Sequence, residues 1–271
     1  MLRVQLTEAR ETLLVTLYGR ALDARATRPV LGDTMASEAV NAIDFDFATT
    51  HITPRMAPTV AVRAKFIDDW VREFLREHQG EATVVHLGAG LDTRVWRIDP
   101  GPEVTWFDVD FPEVIEIRRA LFPERPGYHM IGASVTDEGW LDRIPDGRPT
   151  LAVAEGLSMY LTAREGVTLL RRITDRFNGG TTIAFDAFNR LAIRTQKMNP
   201  AVRMSGATLH WSVDHPRDLV RDVPGLRLRD AVVALTAPGS ELLPRGTRVL
   251  SSALRPFRPI RQMSRYLRYE R

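Results

Sequence analysis

The sequence predicts an α/β fold, a mostly parallel sheet with helices on both faces, and three observations carry that prediction. From residue 83 onward, short β-branched and apolar runs alternate with amphipathic runs of helical spacing, the alternation that lays helices across a parallel sheet. The first short run, Thr83-Val84-Val85, leads straight into Gly88-Ala89-Gly90, where glycines permit the positive φ of a tight turn and let the backbone approach a ligand closely. A second run, Val104 to Phe107, ends in Asp108-Val109-Asp110. That acid pair falls about 20 residues past the glycines, where a carboxylate at a strand tip accepts both hydroxyls of a ribose.

Taken in order, the chain opens with a helix that Thr7 is placed to cap. Leu13, Leu14, Leu17, Ala21 and Leu22 recur at helical spacing as a buried stripe, with Arg10, Thr16 and Arg20 on the other faces. Residues 23 to 57 are less regular: Met35 to Ala42 reads as a short helix, and Asp44-Phe45-Asp46-Phe47 with Pro54 as a loop able to fold over a site. Pro58 opens a strong helix whose apolar face, Val62, Phe66, Ile67, Trp70, Val71, Phe74 and Leu75, runs to about His78 before Gln79-Gly80 stops it.

After the glycine turn a helix is expected from Leu91, and after the acid pair another from Glu113 to Leu121, ended by Pro123. Tyr128 to Ile131 is the third strand, leading to Gly132-Ala133-Ser134-Val135-Thr136-Asp137. Leu151 to Ala154 is the fourth, delivering Glu155 and Gly156 to the carboxyl edge where open α/β sheets bind ligands. Thr162-Ala163-Arg164-Glu165 fits a capping box, which fixes Tyr160 one turn ahead of a helix with Val167, Leu170, Ile173 and Phe177 on its core side. Thr181 to Phe185 is the fifth strand, with Asp186 and Asn189 near its tip, and an antiparallel hairpin of Leu226 to Leu235 with Ser264 to Tyr269 completes the sheet. Thr208 to His215 forms a loop bringing His210, Trp211 and His215 toward a substrate pocket. The regular arginines from Arg255 to Arg271 read mainly as the solvated side of a helix and strand.

The glycine loop and acid pair together point to a nucleotide cofactor. Each alone also fits an ordinary strand-to-helix turn or a solvated strand end. Because Thr93 stands where a third glycine would complete G-x-G-x-x-G, with Arg94 rather than Gly coming after it, a pyrophosphate on the helix start is disfavoured, and with it a nicotinamide enzyme. Alternation sends Asp108 and Asp110 to the same side, so the pattern does not choose between them.

Three motifs in this order, L-G-A-G-L-D-T-R, W-F-D-V-D-F-P and A-E-G-L-S-M-Y-L, resemble the leucine carboxyl methyltransferase family of S-adenosylmethionine enzymes. The likeness spans roughly residues 10 to 190 and, by length, leans toward its bacterial branch of polyketide O-methyltransferases. It implies a class I methyltransferase fold, Rossmann-like, with a seven-stranded sheet, a helical cap over residues 1–80 and a core over 81–271 forming one domain. It implies S-adenosyl-L-methionine as cofactor, held by Gly88, Gly90, Asp92, Asp110 and Glu155, with Arg63 on the methionine carboxylate and Ser134 and the Val135 backbone beside adenine. Relatives often carry an acid where Ser134 stands, so adenine recognition here falls to Ser134, Val135 or Asp137.

The chemistry is in-line methyl transfer to oxygen. A carboxylate acceptor is ionised at neutral pH and needs no base, whereas a phenol with a pKa near ~10 benefits from one. Tyr160 is a candidate orienting group and His210 a candidate base, so both carboxyl and hydroxyl acceptors stay open. The expected acceptor is a small molecule of polyketide type; a protein carboxyl methyltransferase and a cofactor-binding protein without turnover are the alternatives. Composition agrees. In 271 residues with 44% hydrophobic content there is no cysteine, so thiolate metal sites and cysteine nucleophiles are excluded. With net charge +3 and lysine only at 65 and 197, nucleic-acid binding is not expected. No metal and no membrane association are expected either, and a cytoplasmic location is.

Overall fold

The computed structural model describes residues 2–3, 11–198, 202 and 207–271. The proposed cap residue Thr7, and Arg10, lie outside the described residues. Five strands, β1 (Thr83–Leu87), β2 (Thr105–Asp110), β3 (Tyr128–Gly132), β4 (Thr150–Ala154) and β5 (Thr181–Phe188), run parallel. A hairpin of β6 (Arg227–Val233) and β7 (Ser264–Glu270) is added, with β7 antiparallel to both β5 and β6. The order across the sheet is β3-β2-β1-β4-β5-β7-β6. β1 and β4 are buried at every position, as central strands covered on both faces must be.

One face is covered by α3 (Ala57–Glu77), whose Phe66, Ile67, Trp70, Val71 and Phe74 pack with Val84, Trp106, Val153, Ala184 and Tyr266. The other is covered by α6 (Ala163–Arg176), whose Leu169, Leu170 and Ile173 pack with Val85, Leu87, Ala152 and Ile183. Thus α3, grouped with the cap on sequence, lies flat on the sheet. The elements above the carboxyl edge are α1 (Glu11–Ala24) and α2 (Thr34–Ala42), clustered through Leu14, Leu17, Ala36 and Val40 onto Leu91. Phe45 and Phe47 join that cluster, Phe47 stacking on Tyr18 and Phe45 meeting Phe47 edge-on, so the segment expected to fold over a site is anchored by aromatic packing. No helix among the described residues is long and apolar enough to cross a membrane.

Three local expectations need correction. The helix after the glycine turn, α4 (Arg94–Ile98), starts three residues later than expected, because the Asp92 amide is spent on Ala89 O and Thr93 takes the cap position. It ends after five residues at Asp99, in the left-handed region, just before Pro100. Arg20, assigned to an outward face of α1, is buried, its Nη2 donating to Leu91 O at 2.9 Å. In the terminal arginine run, Arg265 and Arg268 are buried: Arg268 lies over Trp70 and pairs with Asp230 and Glu73, while Arg265 donates to Asp214 O.

Candidate active site

Strand register builds the site. Leu87 of β1 stands beside Val109 of β2 and Ala154 of β4, so Gly88, Asp110 and Glu155 emerge side by side at the carboxyl edge. Gly88 and Gly90 have φ of +59° and +51°, in the left-handed region that side chains disfavour. A Cβ on Gly90 would sit 2.7 Å from Leu13 Cδ2, and one on Gly88 3.1 Å from Leu157 Cδ1. The loop therefore needs glycine for both its conformation and its neighbours.

Geometry separates the two aspartates that alternation left equivalent. Asp108 has partners on both oxygens: Arg118 and the Tyr128 hydroxyl on Oδ2, and Trp106 Nε1 at 2.9 Å on Oδ1, with His86 Nδ1 3.2 Å away. Burial opposes its ionisation, but Arg118 and His86 outweigh it and hold the carboxyl below its ordinary range. Asp110 instead accepts two backbone amides, Gly90 N on Oδ2 and Phe111 N on Oδ1, each at 2.7 Å. It pins the glycine loop to the strand tip. Burial pushes this carboxyl up, and the two amides offset that only in part.

A cavity of about 140 Å³ opens over the loop, bordered by Gly88, Gly90, Arg63, Glu155 and Tyr160, with Thr12, Thr16 and Arg20 of α1 as its roof. Beneath it lies a buried charge network that sequence reading missed. Arg63 Nε donates to Glu155 Oε1 at 2.8 Å, and Arg94 donates to the other Glu155 oxygen and, through Nε, to Asp68 at 2.7 Å. Arg97 bridges Asp68, Asp33 and Asp92 at 2.9, 3.0 and 2.7 Å. Burial disfavours the charged forms of Asp92 and Glu155, yet the surrounding arginines win: Asp92 titrates well below its ordinary value and Glu155 below its own. Asp186 goes the other way. Burial raises its carboxyl, because Arg63 is 3.5 Å off and Gly156 N is its other partner.

The predicted residues divide by location. Arg63, Gly88, Gly90, Asp92, Glu155 and Tyr160 border the cavity, and Asp110 supports its floor. Tyr160 ends a short 3₁₀ turn, Ser158–Tyr160, set by the Thr162–Glu165 capping box; burial pushes its phenol up, and it bonds to Thr12. Ser134 and Val135 do not border the cavity. They follow β3 next to Asp110, whose carbonyl takes the Ala133 amide at 2.8 Å; Ser134 N donates to Asp137 and Val135 is buried with Trp140. The histidine expectation is not met geometrically: His210 and His215 are exposed and border neither this cavity nor the next, and Trp211 packs beneath α6 against Phe185. His86 does border the cavity, but its Nε2 accepts from Arg94 Nη1 at 3.1 Å.

A second cavity, about 600 Å³ and mostly apolar, adjoins the first through Val15, Thr16, Arg63 and Phe188. Its outer wall comes from Thr50 to Met56 and from the segment joining β6 to β7, which includes the helix Arg245–Leu254.

Comparison with known proteins bears on what such a site does. A family model described as leucine carboxyl methyltransferase matches residues 13–174. The chain is 45% identical to the tetracenomycin polyketide synthesis O-methyltransferase TcmP of Streptomyces glaucescens, over 87% of this chain and 86% of that protein. It is 36% identical to the S-adenosyl-L-methionine-dependent methyltransferase dpfgK of Gibberella zeae, over 86% and 85% respectively. Among solved structures, a duf574 family protein of Streptomyces avermitilis superposes with a TM-score of 0.57 at 14% identity, covering 94% of this chain and 97% of that one. An S-adenosylmethionine dependent methyltransferase of Mesorhizobium loti gives 0.51 at 14% identity, covering 70% and 90%. At those identities the structural likeness speaks to the fold.

Proposed function

The chain belongs to the leucine carboxyl methyltransferase family, and from that premise we propose that this S-adenosylmethionine-dependent O-methyltransferase esterifies a carboxylate on a small hydrophobic acceptor of polyketide type. The observation that carries the carboxylate is the lack of a free base among the described residues bordering the smaller cavity. His86 has its Nε2 occupied by Arg94, Glu155 and Asp92 are held by arginines, and Tyr160 keeps its proton. A carboxylate, ionised at neutral pH, needs no base; a phenol is short of one here.

The residues present fit the cofactor. Its amino-acid end carries one positive and one negative group, and the cavity offers the Glu155 carboxylate beside Arg63, whose Nη1 lies 3.5 Å from Asp186 and whose Nη2 makes no hydrogen bond among the described residues. Gly88 and Gly90 leave room for close backbone approach, and Asp110, at the tip of β2 behind that loop, is assigned to the ribose hydroxyls. Ser134 and Val135, beyond β3, are assigned to the adenine. Bound there, S-adenosylmethionine supplies an activated methyl group. The protein's share is to align the acceptor oxygen with it and exclude water, and α1 closes the roof. Tyr160, held by Thr12, orients the acceptor as a hydrogen-bond donor.

The test is turnover with methyl-deuterated S-adenosylmethionine and a panel of aromatic carboxylic and phenolic acceptors, followed by mild alkaline hydrolysis and mass spectrometry. The proposal expects a labelled product that loses its methyl on saponification. An alkali-stable methyl ether as the main product would overturn the carboxylate assignment.

A further inference from the structure

The larger cavity carries charge information that the methyl-transfer geometry does not use. Its lining is apolar on most sides, Ile52, Val60, Leu235, Leu254 and Ile260 among others, and contains no aspartate or glutamate among the described residues. Among its described residues are His51 and two arginines. Arg63, at the neck, is already matched by Glu155 and Asp186. Arg261, at the end of the short helix Arg258–Arg261, is half-buried, and its guanidinium has neither an ion pair nor a hydrogen bond among the described residues. The buried arginines nearby are treated differently: Arg265 donates to Asp214 O and Gln262, and Arg268 to Asp230, while Arg255 and Arg258 are exposed to water. A cation partly withdrawn from water beside apolar walls, with no protein anion to meet it, is costly unless a ligand supplies the counter-charge.

We infer that Arg261 is a specificity-determining residue that binds an anionic group on a hydrophobic acceptor lodged in the larger cavity. Arg261 does not border the smaller cavity, so the group it holds is distinct from the oxygen presented at the neck between Thr16, Arg63 and Phe188. The acceptor is thus an elongated hydrophobic molecule with a reacting oxygen at one end and a second ionised oxygen function, a carboxylate or an acidic phenolate or enolate, elsewhere. This rests on the methyl-transfer reading for its orientation, but the anion site itself is testable without cofactor.

Two fluorescent probes of similar shape separate charge recognition from generic apolar binding: 8-anilinonaphthalene-1-sulfonate, an anion, and N-phenyl-1-naphthylamine, which is neutral. Each is titrated into the wild-type protein, Arg261→Gln and Leu254→Trp, the last filling the cavity, with thermal melting as a fold control. The expected result is that Arg261→Gln weakens the anionic probe roughly tenfold, the low end for a charge-assisted contact at a half-exposed site, and leaves the neutral probe unchanged. Leu254→Trp removes both probes. Equal affinity of wild type and Arg261→Gln for the anion, or anion binding that persists in Leu254→Trp, overturns the inference; persistence would put the probe on the exposed Val249 and Leu250 instead. S-adenosylhomocysteine binding, measured in parallel, is expected to be unchanged in Arg261→Gln. Its absence in the wild type would count against the methyl-transfer reading, while the probe series would still decide the anion site.

Discussion

Replacing Arg94 by methionine is the sharpest structural perturbation the site allows. The side chain is fully buried and contacts Asp68, Glu155 and His86, with Asp92 at 3.3 Å. Around it Arg20, Arg63, Arg94 and Arg97 face Asp33, Asp68, Asp92, Glu155 and Asp186. Four cations meet five carboxylates, so losing one leaves buried anions unmatched. Removing one partner of a buried pair costs roughly 3–5 kcal/mol, a large part of the roughly 5–15 kcal/mol that holds a domain folded. A fall in melting temperature on the order of 10 °C follows. The pH profile adds a second readout. Glu155 and Asp92 titrate below their ordinary values in the wild type, so the stability they contribute is present above the unfolded-state pKa and lost as pH falls. Arg94→Met shrinks that contribution. Urea unfolding between pH 7 and pH 3 should show the largest gap at neutral pH and convergence toward acid. A loss under about 1 kcal/mol at pH 7, or two parallel pH curves, would refute the charge-network argument.

Three further outcomes are expected. Asp186→Asn should leave stability at pH 7 unchanged or raise it, because burial already lifts this carboxyl and its ionisation weighs on the folded state, while the amide oxygen still accepts from Gly156; urea unfolding checks the sign. Gly88→Val, at a φ of +59°, should abolish S-adenosylhomocysteine binding by calorimetry while circular dichroism stays near that of the wild type. Tyr160→Phe should leave cofactor affinity intact and lower kcat roughly tenfold in a methyl-transfer assay, as expected for one lost orienting hydrogen bond.

The parts legible in sequence are those with local signals. β-branched runs punctuated by glycine marked β1 to β5, and Thr162 with Glu165 marked the start of α6 to the residue. The family motifs led to Gly88, Gly90, Asp110 and Glu155, all of which meet at one edge of the sheet. The charge network left no such trace. Arg20, Arg94 and Arg97 sit in helical segments, where a charge normally faces solvent, and their partners lie far along the chain: Asp68 is 26 residues from Arg94 and Asp33 is 64 from Arg97. One usable sign existed. Thr12, Thr16 and Arg20 share a face of α1, and in a helix lying over a site the polar face is the one that points inward. His210 misled because an aromatic-flanked histidine looks like a site residue, whereas the neighbouring Trp211 is what the core takes, leaving His210 outside. Asp108 and Asp110 were inseparable by alternation; what distinguishes them is Arg118, which reaches back from α5 (Pro112–Leu121) to claim Asp108.

Cofactor binding at the glycine loop, pinned by Asp110, is the expectation on which the proposed methyl transfer rests. Calorimetric titration of S-adenosylhomocysteine into the wild-type protein and Asp110→Ala tests it most directly. Saturable single-site binding that weakens roughly ten- to a hundredfold in the variant, the loss of charge-assisted ribose bonds worth about 1.5–3 kcal/mol, is the predicted result. Unchanged affinity in a folded Asp110→Ala protein would contradict it and place the cofactor elsewhere.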